Sequence, residues 1–441
     1  MMVKNRIGFI ESQSHERNSS EIPSTSSSKL CFEYCQKKWK KILFITIIPI
    51  LVVVGIYFVT KIVANKYSEI LITKIRKTIS TTTSTTSLTT SSTTTATTTS
   101  ITTSTTTIRK WTDAGRLNIP REYHSSTVLS DGKVLVTGGK FKRSIVSDCE
   151  LYDPLTNQST LVANMSVARM YHTASLLSNG LVLVTGGENY GTTHNSAELY
   201  NVSADKWMLT RNMTYSRAEH IAIVLNNGTV LVSGGTDMHS GMLRTAELFD
   251  ISTGIWTVTE EMTCKRSSHA ASLLKDGNVL ITGGSDFCFS NSDYDHSELY
   301  DPMTKTWSLL NRMNVVREGH TSTVLSDGKV LVTGGFNAVV QISESVELYD
   351  PSTKMWTVTK HMNYRRVRHT ASLLSNGIVL VTGGTDGHTR LDITESYDPS
   401  TDTWSLINSM KIGRQYHTAS TLMDGRVLVI GGNEGFDTEL Y

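Results

Sequence analysis

Seven arginines and seven histidines recur at matched spacing along the last three quarters of this 441-residue chain. Arg121, Arg169, Arg217, Arg266, Arg317, Arg366 and Arg414 follow one another at 48 to 51 residues, and three residues after each stands His124, His172, His220, His269, His320, His369 or His417. Imidazoles gathered at one point are metal chemistry. Imidazoles repeated once per unit are held apart by that unit, so a hydrogen bond to the adjoining unit is the reading that repetition favours. Glu150, Glu198, Glu247, Glu298, Glu347, Glu395 and Glu439 keep the same beat, and pairing with the arginines would tie inner and outer strands together. Function is sought where the units differ, because irregular loops on a rigid frame carry binding. Two residues after each arginine the type varies: Tyr123, Tyr171, Glu219, Ser268, Gly319, Arg368, Tyr416. Tyr123, Tyr171, Arg368 and Tyr416 are candidate ligand contacts. So are Phe287, Phe289, Asp293, Tyr294 and Asp295 in the long segment 285–296, whose aromatics and carboxylates suit a peptide or a sugar.

The elements that must position these residues follow from the same repeat. Each unit reads as four strands. A strand of the type His-Thr-Ala-Ser-Leu-Leu leads to an Asp-Gly or Asn-Gly pair, from Asp131-Gly132 to Asp424-Gly425, and then to an apolar run ending in Gly-Gly. The dipeptide predicts a hairpin with a two-residue type I′ turn. The apolar runs have no polar alternation, as in strands covered on both faces. A third strand ends in Asp-Pro or its equivalent, and a fourth carries Trp207, Trp256, Trp307, Trp356 or Trp404, with Ser159 at that place in the first unit. The final unit stops at Tyr441, before any fourth strand, while Trp111 lies in a fourth strand with no unit ahead of it. A ring in which the segment of Trp111 completes the last sheet leaves no exposed edge. Parity then puts the Asp-Gly and Asp-Pro turns on one face, and the loops after Gly-Gly with the links leading to each arginine on the other.

With seven such units, the Gly-Gly pairs, the spaced Tyr and Trp and the period near 50 resemble kelch repeats, most closely the galactose oxidase/kelch group, over residues 111–441. The resemblance implies an all-β, seven-bladed kelch-type β-propeller spanning residues 108–441. The run from Arg414 to Gly432 also resembles the stretch of galactose oxidases that supplies a copper-ligand tyrosine and histidine, which would make Tyr416 and His417 those ligands. The further histidine of a C-terminal domain and the Cys-linked tyrosine of that group have no counterpart assigned here. The expectation is therefore no catalytic residues and no cofactor, with a copper-dependent oxidoreductase of the galactose oxidase type as the alternative.

Ahead of the repeat, three segments read differently. Residues 1–41 are Ser-rich and poor in large apolar side chains, a disordered tail by composition. From Ile42 to Thr60 no residue is charged, enough for a single transmembrane signal-anchor helix placed at 42–64. The basic Lys37, Lys38, Lys40 and Lys41 abut its N-terminal side and place the tail in the cytoplasm. After a juxtamembrane segment at 65–77, 26 of the 30 residues at 78–107 are Ser or Thr, a stalk suited to O-glycosylation. Extended, it would reach about 90 Å at about 3.1 Å per residue.

Charge and cysteine usage complete the reading. Residues 111–441 carry 27 basic and 35 acidic side chains, which argues against a nucleic-acid groove. Five N-x-S/T sequons, at Asn157, Asn164, Asn201, Asn212 and Asn227, are candidate N-glycosylation sites and agree with a body outside the cell. Cys264 and Cys288 form the expected disulfide, Cys149 is expected buried and free, and Cys31 and Cys35 are candidates for palmitoylation. The chain thus reads as a plasma-membrane protein with a cytoplasmic N-terminus and an extracellular propeller that recognises a protein or carbohydrate ligand.

Overall fold

Only strands, turns and loops occur among residues 110–287, 296–337, 341–432 and 435–441, which the computed structural model describes. The expected tail, membrane helix at 42–64, juxtamembrane segment and stalk lie outside those residues, and so do Phe289, Asp293, Tyr294, Asp295, Cys31, Cys35 and Cys288. No helix of the described residues is long and apolar enough to cross a membrane.

The strands form seven four-stranded antiparallel blades. Blade one consists of Ser125–Val128, Val134–Thr137, Cys149–Asp153 and Gln158–Val162. The second strand is buried along its whole length in every blade, as its unbroken apolar sequence requires. Blade seven takes three strands from the chain's end, Thr418–Thr421, Val427–Ile430 and Asp437–Leu440, and its outer strand from the other end of the propeller. Thr112–Arg116 pairs antiparallel with Asp437–Leu440, Thr112 opposite Leu440 and Asp113 opposite Glu439. Trp111 packs on Tyr441 with ring centroids 5.3 Å apart. The ring is therefore shut by pairing its two ends, and the inner strands touch in a closed cycle from blade one round to blade seven.

The hairpin turns differ from the type I′ expectation. Only the glycine of each pair has positive φ, 86° at Gly132, and Asp131 does not. The loop is closed by Leu129 and Lys133: Leu129 N donates to Lys133 O at 2.8 Å, and Gly132 N donates to Leu129 O at 3.0 Å. This is a three-residue loop in which a type I turn is followed by a left-handed glycine. Asp131 serves through its side chain, whose Oδ1 accepts from Lys133 N at 3.1 Å. Asp and Asn suit that place because they can satisfy a nearby amide.

The tryptophans clamp neighbouring blades. Trp207, Trp256, Trp307 and Trp404 each donate Nε1–H to a backbone carbonyl of the preceding blade's exit, Ala163, Arg211, Glu260 and Lys360 respectively, at 2.8 to 2.9 Å. Each packs on the Tyr or Phe facing it across the third strand, with centroids 4.8 to 5.0 Å apart. In blade one Ser159 takes the Trp position, and its hydroxyl donates to Glu150 at 2.7 Å.

Candidate functional site

The recurrent charged residues form a buried framework rather than a site. All seven arginines meet the third-strand glutamate of their own blade at 2.7 to 2.9 Å, and every side chain in these pairs is at most 3% exposed. Each arginine Nη1 also donates to the carbonyl of the first glycine in Gly-Gly, at 2.6 to 2.8 Å. The glutamates accept backbone amides from the link entering the blade, such as Thr214 N and Tyr215 N on Glu247. A desolvated ion pair needs such extra hydrogen bonds to hold. Burial pulls the Arg217 pKa below its ordinary value, and Glu247 opposes that pull.

The histidines do the same work between blades. His172 Nε2 shares a hydrogen bond with Thr137 of blade one at 2.9 Å, His369 with Thr333 of blade five at 2.9 Å, and His124 with Thr418 of blade seven at 2.9 Å. Burial, with an arginine close by, holds these imidazoles neutral: His172, His320 and His417 fall to about 3. His269 is the exception, with neither ring nitrogen partnered among the described residues. The preceding blade offers it Ser233 and Ile221 where blades two, five and six offer two threonines.

The mouth of the channel is built on this framework. Tyr123, Tyr171, Glu219, Ser268, Gly319, Arg368 and Tyr416 all adopt left-handed backbone, with φ between 51° and 61°. Each donates its N–H to the carbonyl of its counterpart in the preceding blade, at 2.9 to 3.4 Å, and Tyr123 N→Tyr416 O closes the cycle. Seven backbone hydrogen bonds thus circle the axis, one per blade. Non-glycine residues seldom hold this conformation, and strained backbone concentrates where a surface is held for use.

Side chains differ around this girdle. Tyr123 stands between Tyr171 and Tyr416, centroids 4.6 and 4.1 Å away, and the Arg368 guanidinium lies 4.3 Å over the Tyr416 ring. Burial raises the Tyr171 and Tyr416 hydroxyls, so both stay protonated at neutral pH. Opposite them Ser268 donates to Glu219 at 2.8 Å. One half of the mouth is an aromatic cluster capped by a cation, and the other is small and polar.

A cavity of about 560 Å³ opens beside Gly319 and Arg368 between blades five and six, walled by Phe336, Ile342, His388 and Arg390. The volume lies in the range of ligand-binding clefts. Sequence reasoning named Arg368 but missed the rest. His388 and Arg390 did not stand out in the sequence, because the loop after Gly138-Gly139 is as basic, with Lys140, Lys142 and Arg143.

Of the other sequence candidates, Phe287 ends the strand Ser285–Phe287, which pairs with Lys265–Ser267 and sets Phe287 opposite Lys265. Cys264 is disulfide-bonded, and its expected partner, Cys288, lies outside the described residues. Cys149 is a buried free thiol, its pKa pushed up to about 12 by desolvation. Tyr416 and His417 do not fit a copper centre. His417 Nε2 is engaged by Thr370 and Thr382 of blade six at 3.0 and 3.4 Å, the Tyr416 ring is packed under Arg368, and no group of three His, Cys, Asp or Glu converges among the described residues.

Comparison with known proteins agrees with this geometry. The family model described as the KLHDC2/KLHL20/DRC7 Kelch-repeats domain matches residues 171–365, and the Kelch motif model matches 123–166 and 366–411. No curated protein sequence matches the chain. Similar solved structures include a fungal alcohol oxidase "with catalytic diversity among the AA5 family, in complex with copper", 17% identical over 75% of this chain and 76% of that one, with a TM-score of 0.60. Another is YjhT, 16% identical over 66% of this chain and 99% of that one, with a TM-score of 0.52. Likenesses at this identity speak to the fold alone.

Proposed function

We propose that this chain, which is a kelch-repeat β-propeller, is a protein-binding module held at the cell surface and engaging its ligand over the channel mouth. The observation that carries the binding face is the girdle: seven positions share one backbone geometry, yet display Tyr, Tyr, Glu, Ser, Gly, Arg and Tyr. A frame that repeats while its display varies is how a symmetric fold makes an asymmetric recognition surface.

The surface reading draws on the uncharged stretch Ile42–Thr60, the basic residues before it, and the Thr/Ser stalk. The point where the chain enters the propeller agrees with it. Tyr441, beside Trp111, exchanges backbone hydrogen bonds with Val427, just after the Asp424-Gly425 turn. The chain therefore enters the first strand of the propeller on the face of the Asp-Gly turns, and the variable mouth stands at the opposite ends of the strands.

Full-length chain with a C-terminal epitope tag, expressed in animal cells, tests the topology. Antibody should reach the tag without permeabilisation, and a tag seen only after permeabilisation overturns the surface reading. The same cells, panned against protein and glycan arrays, test the face. Binding should go to protein spots and fall about tenfold or more with Tyr123→Ala or Tyr171→Ala. Binding that ignores both substitutions, or that goes to glycans alone, overturns the assignment.

A further inference from the structure

We propose that N-linked oligosaccharides coat only blades one to three, outside the channel mouth, leaving blades four to seven as the remaining sector open to proteins; this rests on the cell-surface reading above. The five sequons occupy four kinds of place in the repeat, and each place recurs in the remaining blades without a sequon. At the links between blades the pattern is x-Met-y. Met165, Met213, Met262, Met313, Met362 and Met410 are 1 to 3% exposed, so the middle side chain points in and its neighbours are left outside. Asn164 and Asn212 hold the first place of that pattern in the first two links and are exposed. Later links put Glu261, Arg312, His361 and Ser409 there, equally exposed.

The other three sites lie at the opposite face. Asn157 is the left-handed residue of the turn into the fourth strand of blade one, a place held by Lys305 in blade four and Lys354 in blade five. Asn201 ends the third strand of blade two, where Asp301 and Asp350 end those of blades four and five. Asn227 stands in the hairpin of blade three, where Asp327 stands in that of blade five. Both faces of the first three blades therefore carry sites, although the backbone is the same all round the ring.

The atom that modification needs is also the one left over. Asn157 Oδ1 accepts from Tyr152 Oη, Asn201 Oδ1 from Ser203 and Ala204, and Asn227 Oδ1 from Thr229. No hydrogen bond from Nδ2 of Asn157, Asn201, Asn212 or Asn227 occurs among the described residues, and Asn164 Nδ2 has only a 3.4 Å contact with Asp148. A glycan on Nδ2 thus leaves the turns' oxygen contacts in place. The transfer balances with a lipid-pyrophosphate oligosaccharide as donor. The Nδ2–C1 bond forms, the bond from C1 to the pyrophosphate oxygen breaks, the amide gives up one proton, and lipid pyrophosphate leaves.

The test uses full-length chain purified from animal-cell membranes. Peptide-N-glycosidase treatment in ¹⁸O water followed by peptide mass mapping should label sites among the five asparagines. Nanobodies raised against the deglycosylated chain, with epitopes mapped by substitution, then report access. Those on blades one to three outside the channel mouth should bind the native glycoprotein about tenfold or more weaker than the deglycosylated chain, and those on blades four to seven equally well. Ser409→Asn with Lys411→Thr completes a sequon in the link from blade six to blade seven. It should add one glycan and close that sector to its own nanobodies. Unlabelled asparagines on a chain whose C-terminal tag is reached on intact cells overturn the coat and leave the surface reading standing. Unlabelled asparagines with no such access overturn both. Labelled asparagines with no difference between the two nanobody classes overturn the one-sided shield.

Discussion

The buried arginines and histidines flank the girdle of left-handed residues in sequence, two residues before and one after, yet the two layers behave as opposites. In the first, every blade repeats its side chains, because each must satisfy a desolvated partner: Arg217 is surrounded by Glu247, the Gly234 carbonyl and the Thr245 carbonyl. In the second, what repeats is backbone. The hydrogen bond from Tyr171 N to Tyr123 O needs no particular side chain, so residue type is released to vary. The difference teaches that a position can be tightly specified in geometry and free in chemistry, and that such a position is where a repeat protein can place recognition.

Acid should break this contrast most severely. The seven imidazoles are held well below their ordinary 6.5, to about 3 for His172, His320 and His417. The folded state therefore keeps them neutral while the unfolded chain protonates near 6.5. Their contribution is complete above pH 6.5 and is lost as pH falls from there toward 3. Each imidazole that stays neutral in the fold forfeits up to about 1.4 kcal/mol per pH unit below 6.5, so the losses at seven positions add to a steep fall. Urea denaturation at pH 7.5, 6 and 5 should show a steep fall in midpoint, and a flat profile sinks the account of buried neutral histidines.

Arg217→Ala comes next. It leaves Glu247 buried without its cation and should cost about 3–5 kcal/mol, read as a lowered thermal midpoint. Tyr123→Ala, at the same depth in sequence but in the girdle, should cost clearly less, since it removes ring contacts and no buried charge. Equal losses from the two would erase the distinction between the layers.

Gly319→Ala sharpens the girdle itself. Its φ of 61° disfavours a Cβ, and that atom would stand 2.9 Å from Val367 Cγ2. A loss of about 1–3 kcal/mol is expected in chemical denaturation. A neutral result would show that the left-handed ring is not strained.

The smallest effect repairs the one irregular contact in the framework. Ser233→Thr restores to blade three the threonine that His172 and His369 find in Thr137 and Thr333. Giving His269 a partner should raise stability by about 1 kcal/mol, measured by urea midpoint.

Much of the fold was legible because the repeat announces it. The seven Gly-Gly pairs, the unbroken apolar second strands and the orphan strand of Trp111 led to seven blades and to the closing pair of Thr112 with Leu440. The Arg–Glu pairs and the histidine contacts between blades were also readable, since a polar residue repeated inside a buried layer must meet a repeated partner. The hairpin turn was not. Asp131 and Gly132 fit either loop, and which one forms depends on whether Lys133 pairs with Leu129 or with Ser130, a register that the two strands settle together.

Of the candidate contacts, sequence singled out the seven variable positions by their place after each arginine, without disclosing that their amides close a ring. Chemical identity at the mouth, three tyrosines, one arginine and one glutamate, is a property of the sequence alone. That Tyr123, Tyr171 and Tyr416 form one cluster is decided by closure, because 245 residues separate Tyr171 from Tyr416 along the chain and only blade seven's meeting with blade one makes them neighbours. The cavity of Arg368, His388 and Arg390 was out of reach for the same reason: its walls come from loops of different blades, and their spacing is fixed by how blades pack rather than by any local pattern.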